Sequence, residues 1–262
     1  MPQHESTSTP GAPERVALVT GGSQGLGAAI GRRLARDGHS VVLVARGLAG
    51  AEAVAKSIRE AGGTAMAIAC DVRIRDEVER AVAAALEAFG RLDILVSNAG
   101  VTRDALIHTM TDDEWRTVID THLTGGFLSA QAAQRPMVLQ RYGRIVFIGS
   151  TAAVGNRGQV NYSAAKAGLQ GMTRTLALEL GQFGITVNLV SPGHIDSELT
   201  RASAERLNVP YEEVAANRIS LNSIKRVGVP DDIASAVAFL ASEESGYITG
   251  QVLSVSGRPT IS

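Results

Sequence analysis

Seven short runs of residues, at about 15–20, 40–45, 64–69, 92–97, 144–149, 186–191 and 251–255, are dominated by apolar side chains. Runs of this length, rich in Val, Ile, Leu and Ala, predict strands buried on both faces, the pattern of a parallel sheet. Between them the apolar positions recur at helical spacing. After the first run, Leu26, Ala29, Ile30 and Leu34 mark one helix face, and Asp37-Gly38 supplies its C-terminal stop. The alternation predicts one α/β domain over 15–262, a doubly wound, Rossmann-type parallel sheet of seven strands with helices on both faces. Further along, Thr111-Asp112-Asp113-Glu114 reads as a capping box opening a long helix, whose inward face would carry Trp115, Val118, Ile119 and His122.

Residues 1–14 break this pattern. They are rich in Ser, Thr and Pro and lack a basic start followed by an apolar stretch, so they read as a flexible leader outside the fold and not as a secretory signal. A chain of 262 residues with 45% hydrophobic content can bury a large core. Its net charge of −1, with no basic cluster, argues against a nucleic-acid partner. No apolar run approaches the ~18 residues of a membrane span, so no membrane association is expected. Cys70 is the single cysteine, which rules out an intrachain disulfide and fits a reducing, cytoplasmic setting.

The first strand runs directly into Gly21-Gly22-Ser23-Gln24-Gly25-Leu26-Gly27, and a helix follows at once. Strand, glycines and helix in that order make a phosphate cradle, because the backbone can turn tightly and aim free N–H groups and a helix dipole at a pyrophosphate. The second strand ends at Ala45-Arg46, where a dinucleotide fold reads the adenosine ribose. No carboxylate is there to accept from a free 2′-hydroxyl, and a guanidinium stands where a 2′-phosphate would lie, which favours NADP(H). Tyr162 and Lys166 are four residues apart in a helical pattern, so phenol and ammonium share one face. A nearby cation favours phenolate and would tune the tyrosine as a general acid for carbonyl chemistry. Ser150 follows the fifth strand, at the sheet edge where ligands bind, with a hydroxyl suited to a developing alkoxide.

Together these strings resemble the short-chain dehydrogenase/reductase family, from about residue 15 to the C-terminus. Cys70-Asp71-Val72, Ser97-Asn98-Ala99-Gly100, Ile148-Gly149-Ser150 and Pro192-Gly193 carry the resemblance beside the motifs above. Within that family the chain is most similar to 3-oxoacyl-[acyl-carrier-protein] reductases, through Asn98-Ala99-Gly100-Val101-Thr102-Arg103-Asp104, Gly158-Gln159-Val160-Asn161-Tyr162 and Gly184-Ile185-Thr186-Val187-Asn188.

The resemblance implies hydride transfer between nicotinamide and a carbonyl carbon, with Ser150, Tyr162 and Lys166 catalytic and Lys166 also on the ribose. It implies an adenine pocket at Asp71 and Val72, a strand corner held by Asn98, carboxamide contacts at Ile195 and Ser197, and a lid over about 194–217. It also implies a homotetramer built by pairing the helices near 111–140 and 160–181. Three departures stand out. His122 occupies a position where the family usually has an asparagine whose backbone carbonyl holds a water of the proton relay. Ser150 and Tyr162 are one residue closer than is usual. Arg141 matches a basic docking position for an acyl-carrier protein, but Phe183 stands where a second arginine can occur. The reading is therefore an NADPH-dependent reductase of 3-oxoacyl thioesters. A reductase of another ketone or secondary alcohol, such as a polyketide, steroid or sugar, remains open. So does a dinucleotide-binding regulatory protein without turnover.

Overall fold

The computed structural model describes residues 15–206 and 209–259, so the expected leader lies outside the described residues. All seven expected strands form: β1 (Val16–Thr20), β2 (Ser40–Ala45), β3 (Ala65–Ala69), β4 (Ile94–Ser97), β5 (Gly143–Ile148), β6 (Ile185–Pro192) and β7 (Val252–Val255). They make one sheet in the order β3-β2-β1-β4-β5-β6-β7, and every neighbouring pair is parallel. Expected and observed strand ends differ by at most two residues, because ladder hydrogen bonds and apolar runs need not end at the same residue.

Nine α-helices connect the strands among the described residues: α1 (Gly25–Arg36), α2 (Leu48–Glu60), α3 (Arg75–Phe89), α4 (Asp112–Ile119), α5 (Gly125–Gln140), α6 (Val160–Leu180), α7 (Glu198–Arg206), α8 (Tyr211–Leu221) and α9 (Pro230–Ala241). Helices α1, α2 and α9 pack one face of the sheet through Ile30, Leu34, Ile58 and Ile233. Helices α3, α5 and α6 pack the other through Val82, Leu128, Met137 and Leu169. Because β2 and β4 both flank β1, the chain leaves β1 in opposite directions, opening a crevice at the strand ends.

The long helix expected after Thr111 differs in detail. Its capping box forms, with Glu114 N–H donating to Thr111 Oγ1 at 3.2 Å and Thr111 N–H to Glu114 Oε2 at 2.8 Å. The α-helix then stops at Ile119, and residues Asp120–Thr124 form a π-helical turn before α5. The wider turn rotates the helix face between Val118 and His122. Val118 and His122 are buried as expected, but Ile119 is only half-buried and Trp115 is 40% exposed, so Trp115 is not a core residue.

At the opposite edge of the sheet the carboxylate of Asp93 is fully buried. Arg91 holds it through Nε at 2.7 Å and Nη2 at 2.8 Å, Arg15 Nη1 approaches at 3.3 Å, and Val16 N–H donates to it at 2.9 Å. A carboxylate this dry is tolerable only with such partners, and removing one side of the arrangement strands the other. Asp93→Ala should lower the unfolding free energy by about 3 kcal/mol, measured by urea denaturation, whereas a loss below about 1 kcal/mol would make the ion cluster dispensable.

Candidate active site

The turn between β1 and α1 is shaped by what a side chain would hit. Gly21 has φ +68°, and a Cβ there would come 2.9 Å from Ala99 Cα. A Cβ at Gly27 would stand 2.1 Å from the Gly21 carbonyl oxygen. The turn therefore lies flat against the end of β4 with no room for any other residue. Asn98 locks it there: its Nδ2 donates to Thr20 O at 2.9 Å and Gly21 O at 3.3 Å, while Thr20 Oγ1 accepts from Asn98 N at 3.0 Å and Ala99 N at 3.1 Å. At the start of α1 no side chain caps the first N–H groups and the first turn carries no acid, leaving an anion-accepting end open to the crevice. These features fit a dinucleotide pyrophosphate.

Next to the turn, β2 and β3 end side by side. Cys70 N–H donates to Ala45 O at 2.9 Å, which brings Arg46 beside Cys70-Asp71-Val72. The Asp71 carboxyl is held below its ordinary range by hydrogen bonds from Arg73, which outweigh its partial burial, with a smaller through-space contribution from Arg46. Burial pushes the Cys70 thiol up to about 11, so it stays protonated and acts as an apolar wall.

Across the crevice, β5 ends at Ile148 and delivers Ser150, while α6 carries Tyr162 and Lys166. Ser150 Oγ accepts from Ala152 N–H at 3.1 Å and caps the 3₁₀ turn Thr151–Val154. Burial, reinforced by the Asp104 charge, pushes the Tyr162 phenol up to about 12 against the lowering effect of Ser150. Burial also brings Lys166 down to about 7. The ammonium Nζ donates to Ile148 O at 2.6 Å and stands 5.4 Å from the centre of the Tyr162 ring. Tyrosine and lysine thus share one face as expected. The expected lowering of the phenol by Lys166 is not found in the chain alone, because burial dominates and the ammonium is engaged by a backbone carbonyl.

His122 meets Tyr162 edge-on, with ring centres 5.1 Å apart and planes at 88°. Its Nε2 lies 2.9 Å from Val101 O and 3.1 Å from Val101 N, contacts that require opposite protonation of Nε2 and are made by alternative tautomers. Nδ1 is buried without a partner. Burial, reinforced by the Lys166 charge, holds the imidazole well below its ordinary pKa and therefore neutral. The ring fills the space above Gly100, where a Cβ would come 2.4 Å from Cε1. In the π turn, Gly125 N–H is shared between the carbonyls of Asp120 and His122, so the His122 carbonyl keeps acceptor capacity.

The fourth wall follows β6. Pro192 and Gly193 lead to Ile195, buried and bridged to Gly228, and to Ser197. The expected lid region contains α7 and most of α8, with 207 and 208 outside the described residues. Of the acids in this region, Asp196, Glu198, Glu205, Glu212 and Glu213, Asp196 is paired with Arg201 at 2.7 and 2.8 Å.

One cleft of about 770 Å³ gathers these parts. Gly21, Ser23, Gln24, Gly25, Leu26, Arg46, Asp71, Val72, Asn98, Ala99, Gly100, His122, Ser150, Tyr162, Lys166, Pro192, Gly193, Ile195 and Ser197 all line it. Gly27 alone among the expected residues does not, being packed under Gly21. Sequence reasoning missed Thr121, Glu198 and Thr200, which also line the cleft. Thr200 had a signal, the Ser-x-x-Thr spacing by which its Oγ1 accepts from Ser197 N–H at 3.1 Å. Glu198 had none, because only the approach of α7 to Gly25 brings it in.

A family model described as short chain dehydrogenase matches residues 15–208. The short-chain reductase protein NovJ of Streptomyces niveus is 43% identical over 256 residues, covering 98% of each chain. The 3-oxoacyl-[acyl-carrier-protein] reductase MabA of Mycobacterium tuberculosis (strain ATCC 25618 / H37Rv) is 40% identical, covering 96% of this chain and 97% of MabA. The crystal structure of levodione reductase superposes with a TM-score of 0.89 at 33% identity, covering 93% of this chain and 96% of that one. With sheet order, glycine turn and matches along nearly the whole sequence in agreement, the chain belongs to the short-chain dehydrogenase/reductase family and is an oxidoreductase acting on CH–OH or C=O groups.

Proposed function

We propose that this protein is an NADPH-dependent reductase that converts 3-oxoacyl thioesters to 3-hydroxyacyl thioesters. The observation that carries the reading is the convergence of Ser150, Tyr162 and Lys166 at one end of a cleft whose other end presents Arg46. When bound, the nicotinamide supplies the hydride that reduces the carbonyl carbon. The chain supplies the rest. Ser150 and the Tyr162 hydroxyl hold the carbonyl oxygen, and the Tyr162 proton passes to that oxygen as negative charge develops on it. Lys166 binds the ribose hydroxyls and offsets the charge left on Tyr162. The His122 backbone carbonyl holds the water that links Lys166 to solvent, and the neutral ring keeps the loop at Val101 in place.

Thioester substrates are supported by the similarity to MabA and by the shared strings around Asn98 and Tyr162. A specific feature also supports a second reading, in which the ketone is not delivered by a carrier protein. Phe183 packs against the core, and Arg141 Nη2 already donates to Gln182 O at 3.0 Å, so the basic docking face is reduced. The similarity to NovJ, a short-chain reductase by name, is compatible with a reductase of another ketone. We read the protein as a cytoplasmic homotetramer, since α5 and α6 leave Phe127, Leu139 and Leu178 exposed where relatives of this fold pair.

Tyr162→Phe should cut ketone reduction by about a thousandfold, consistent with loss of a positioned general acid, while NADPH still binds within about twofold in a fluorescence titration. Turnover near wild type would remove Tyr162 from the reaction. With acetoacetyl thioesters as substrates, Arg141→Glu should reduce kcat/KM for the carrier-bound form more than for the coenzyme A form, with the gap closing as salt rises. Equal losses would make Arg141 structural, and no activity on either thioester would favour another ketone. Light scattering at micromolar concentration should give the mass of four chains, and a monomer would contradict the assembly.

A further inference from the structure

At the adenosine end of the cleft a carboxylate and a guanidinium stand on neighbouring strand ends. Arg46 follows β2, Asp71 follows β3 by two residues, and both line the cleft. Left alone, Asp71 would put a negative charge beside the place where Arg46 would meet a phosphate. Arg73 prevents this. Its own N–H donates to Asp71 Oδ1 at 3.0 Å, its Nε reaches Oδ1 at 3.0 Å and Oδ2 at 3.1 Å, and its Nη2 reaches Oδ2 at 2.6 Å. A carboxylate has about four lone-pair directions, and these contacts engage both oxygens. Two other acids, Asp120 and Asp113, act on the same guanidinium through space, and Glu77 fixes the Asp71 backbone by accepting its N–H at 2.7 Å. Arg73 itself stands outside the cleft wall and is 38% exposed, so it acts through Asp71.

We propose that Arg73 is a specificity-determining positioning residue for the cofactor: by neutralising Asp71 it lets the cleft accept the additional ribose phosphate of NADP(H) beside Arg46. The inference rests on the NADP(H) reading above. A cofactor with a free ribose hydroxyl carries no charge at that point and is nearly indifferent to Arg73. A ribose phosphate, close to a dianion, would be repelled once Asp71 loses its partner, and the repulsion is softened by solvent because the pair is partly exposed.

Dissociation constants for NADPH and NADH, measured by fluorescence titration on the intact protein without substrate, test this. Wild type should bind NADPH more tightly. Arg73→Gln should weaken NADPH about tenfold and NADH by less than about twofold, with the NADPH loss shrinking in about 0.5 M salt. Adding Asp71→Asn to Arg73→Gln should return the ratio of NADPH to NADH affinity toward the wild-type value, because the stranded charge is gone while any loss at the adenine is shared by both cofactors. Arg73→Lys should keep most of the discrimination, which separates charge from loop geometry. Equal losses for both cofactors in Arg73→Gln, or no loss of NADPH affinity, would overturn the role of Arg73 while leaving Arg46 intact. Tighter binding of NADH by wild type would instead overturn the reading of Arg46, and the role of Arg73 with it.

Discussion

The backbone crossing between the first glycine turn and the end of β4 is the constraint on which the rest of the site depends. A Cβ at Gly27 would come 2.1 Å from the Gly21 carbonyl, and one at Gly21 would meet Ala99. The crevice of a doubly wound sheet exists wherever the chain reverses its winding, but it accepts a pyrophosphate only if its floor is thin backbone. Asn98 commits its amide to that floor, donating to Thr20 O and Gly21 O. A polar side chain at the mouth of a cleft is thus structural, holding two strand ends together so that the start of α1 faces the ligand space with its N–H groups free.

At the other end of the cleft, burial and charge oppose each other. The dry surroundings of Tyr162 and Lys166 disfavour charge on both, raising the phenol to about 12 and lowering the amine to about 7. Lys166 is steadied by the Ile148 carbonyl, and His122 adds no charge because the same burial keeps its ring neutral. The π turn at Asp120–Thr124 is what brings that ring against Tyr162 and over Gly100. A π turn inside a helix is rare and sits disproportionately at functional sites. Here it turns the His122 side chain inward while leaving its carbonyl with spare acceptor capacity.

Much of this was legible in the sequence because each part has a local cause. The five inner strands are buried along their whole length and so mainly apolar, and the half-exposed edge strands β3 and β7 still keep short apolar runs, so all seven were visible, and the glycine turn announces itself by the order strand, glycines, helix. What was not legible depends on geometry between elements. Helical spacing of Trp115, Val118, Ile119 and His122 implied one face, but a wider turn changes the phase between Val118 and His122, and Trp115, on the regular helix before it, is 40% exposed. Tyr162 and Lys166 were found by spacing, yet the sign of the tyrosine shift followed from burial, which spacing does not report. The contacts of Arg73 with Asp71 and the approach of Glu198 to Gly25 likewise need coordinates.

The short loop between Ser150 and Tyr162 shows why such a chain reveals its chemistry more readily than its substrate. The end of β5 fixes Ser150 and the first turn of α6 fixes Tyr162, each set by sheet register and helix packing. Between them the chain is folded by the 3₁₀ turn Thr151–Val154 and by Gly155 and Gly158, which adopt φ of +114° and +81°. Ser150 stays close enough to the Tyr162 hydroxyl to lower the phenol against its burial. The reacting groups therefore ride on rigid elements, while the segments that would touch the rest of a substrate, this loop and the region around α7 and α8, can change length and composition without disturbing them. The contacts such segments make are set by tertiary packing, which no spacing rule encodes.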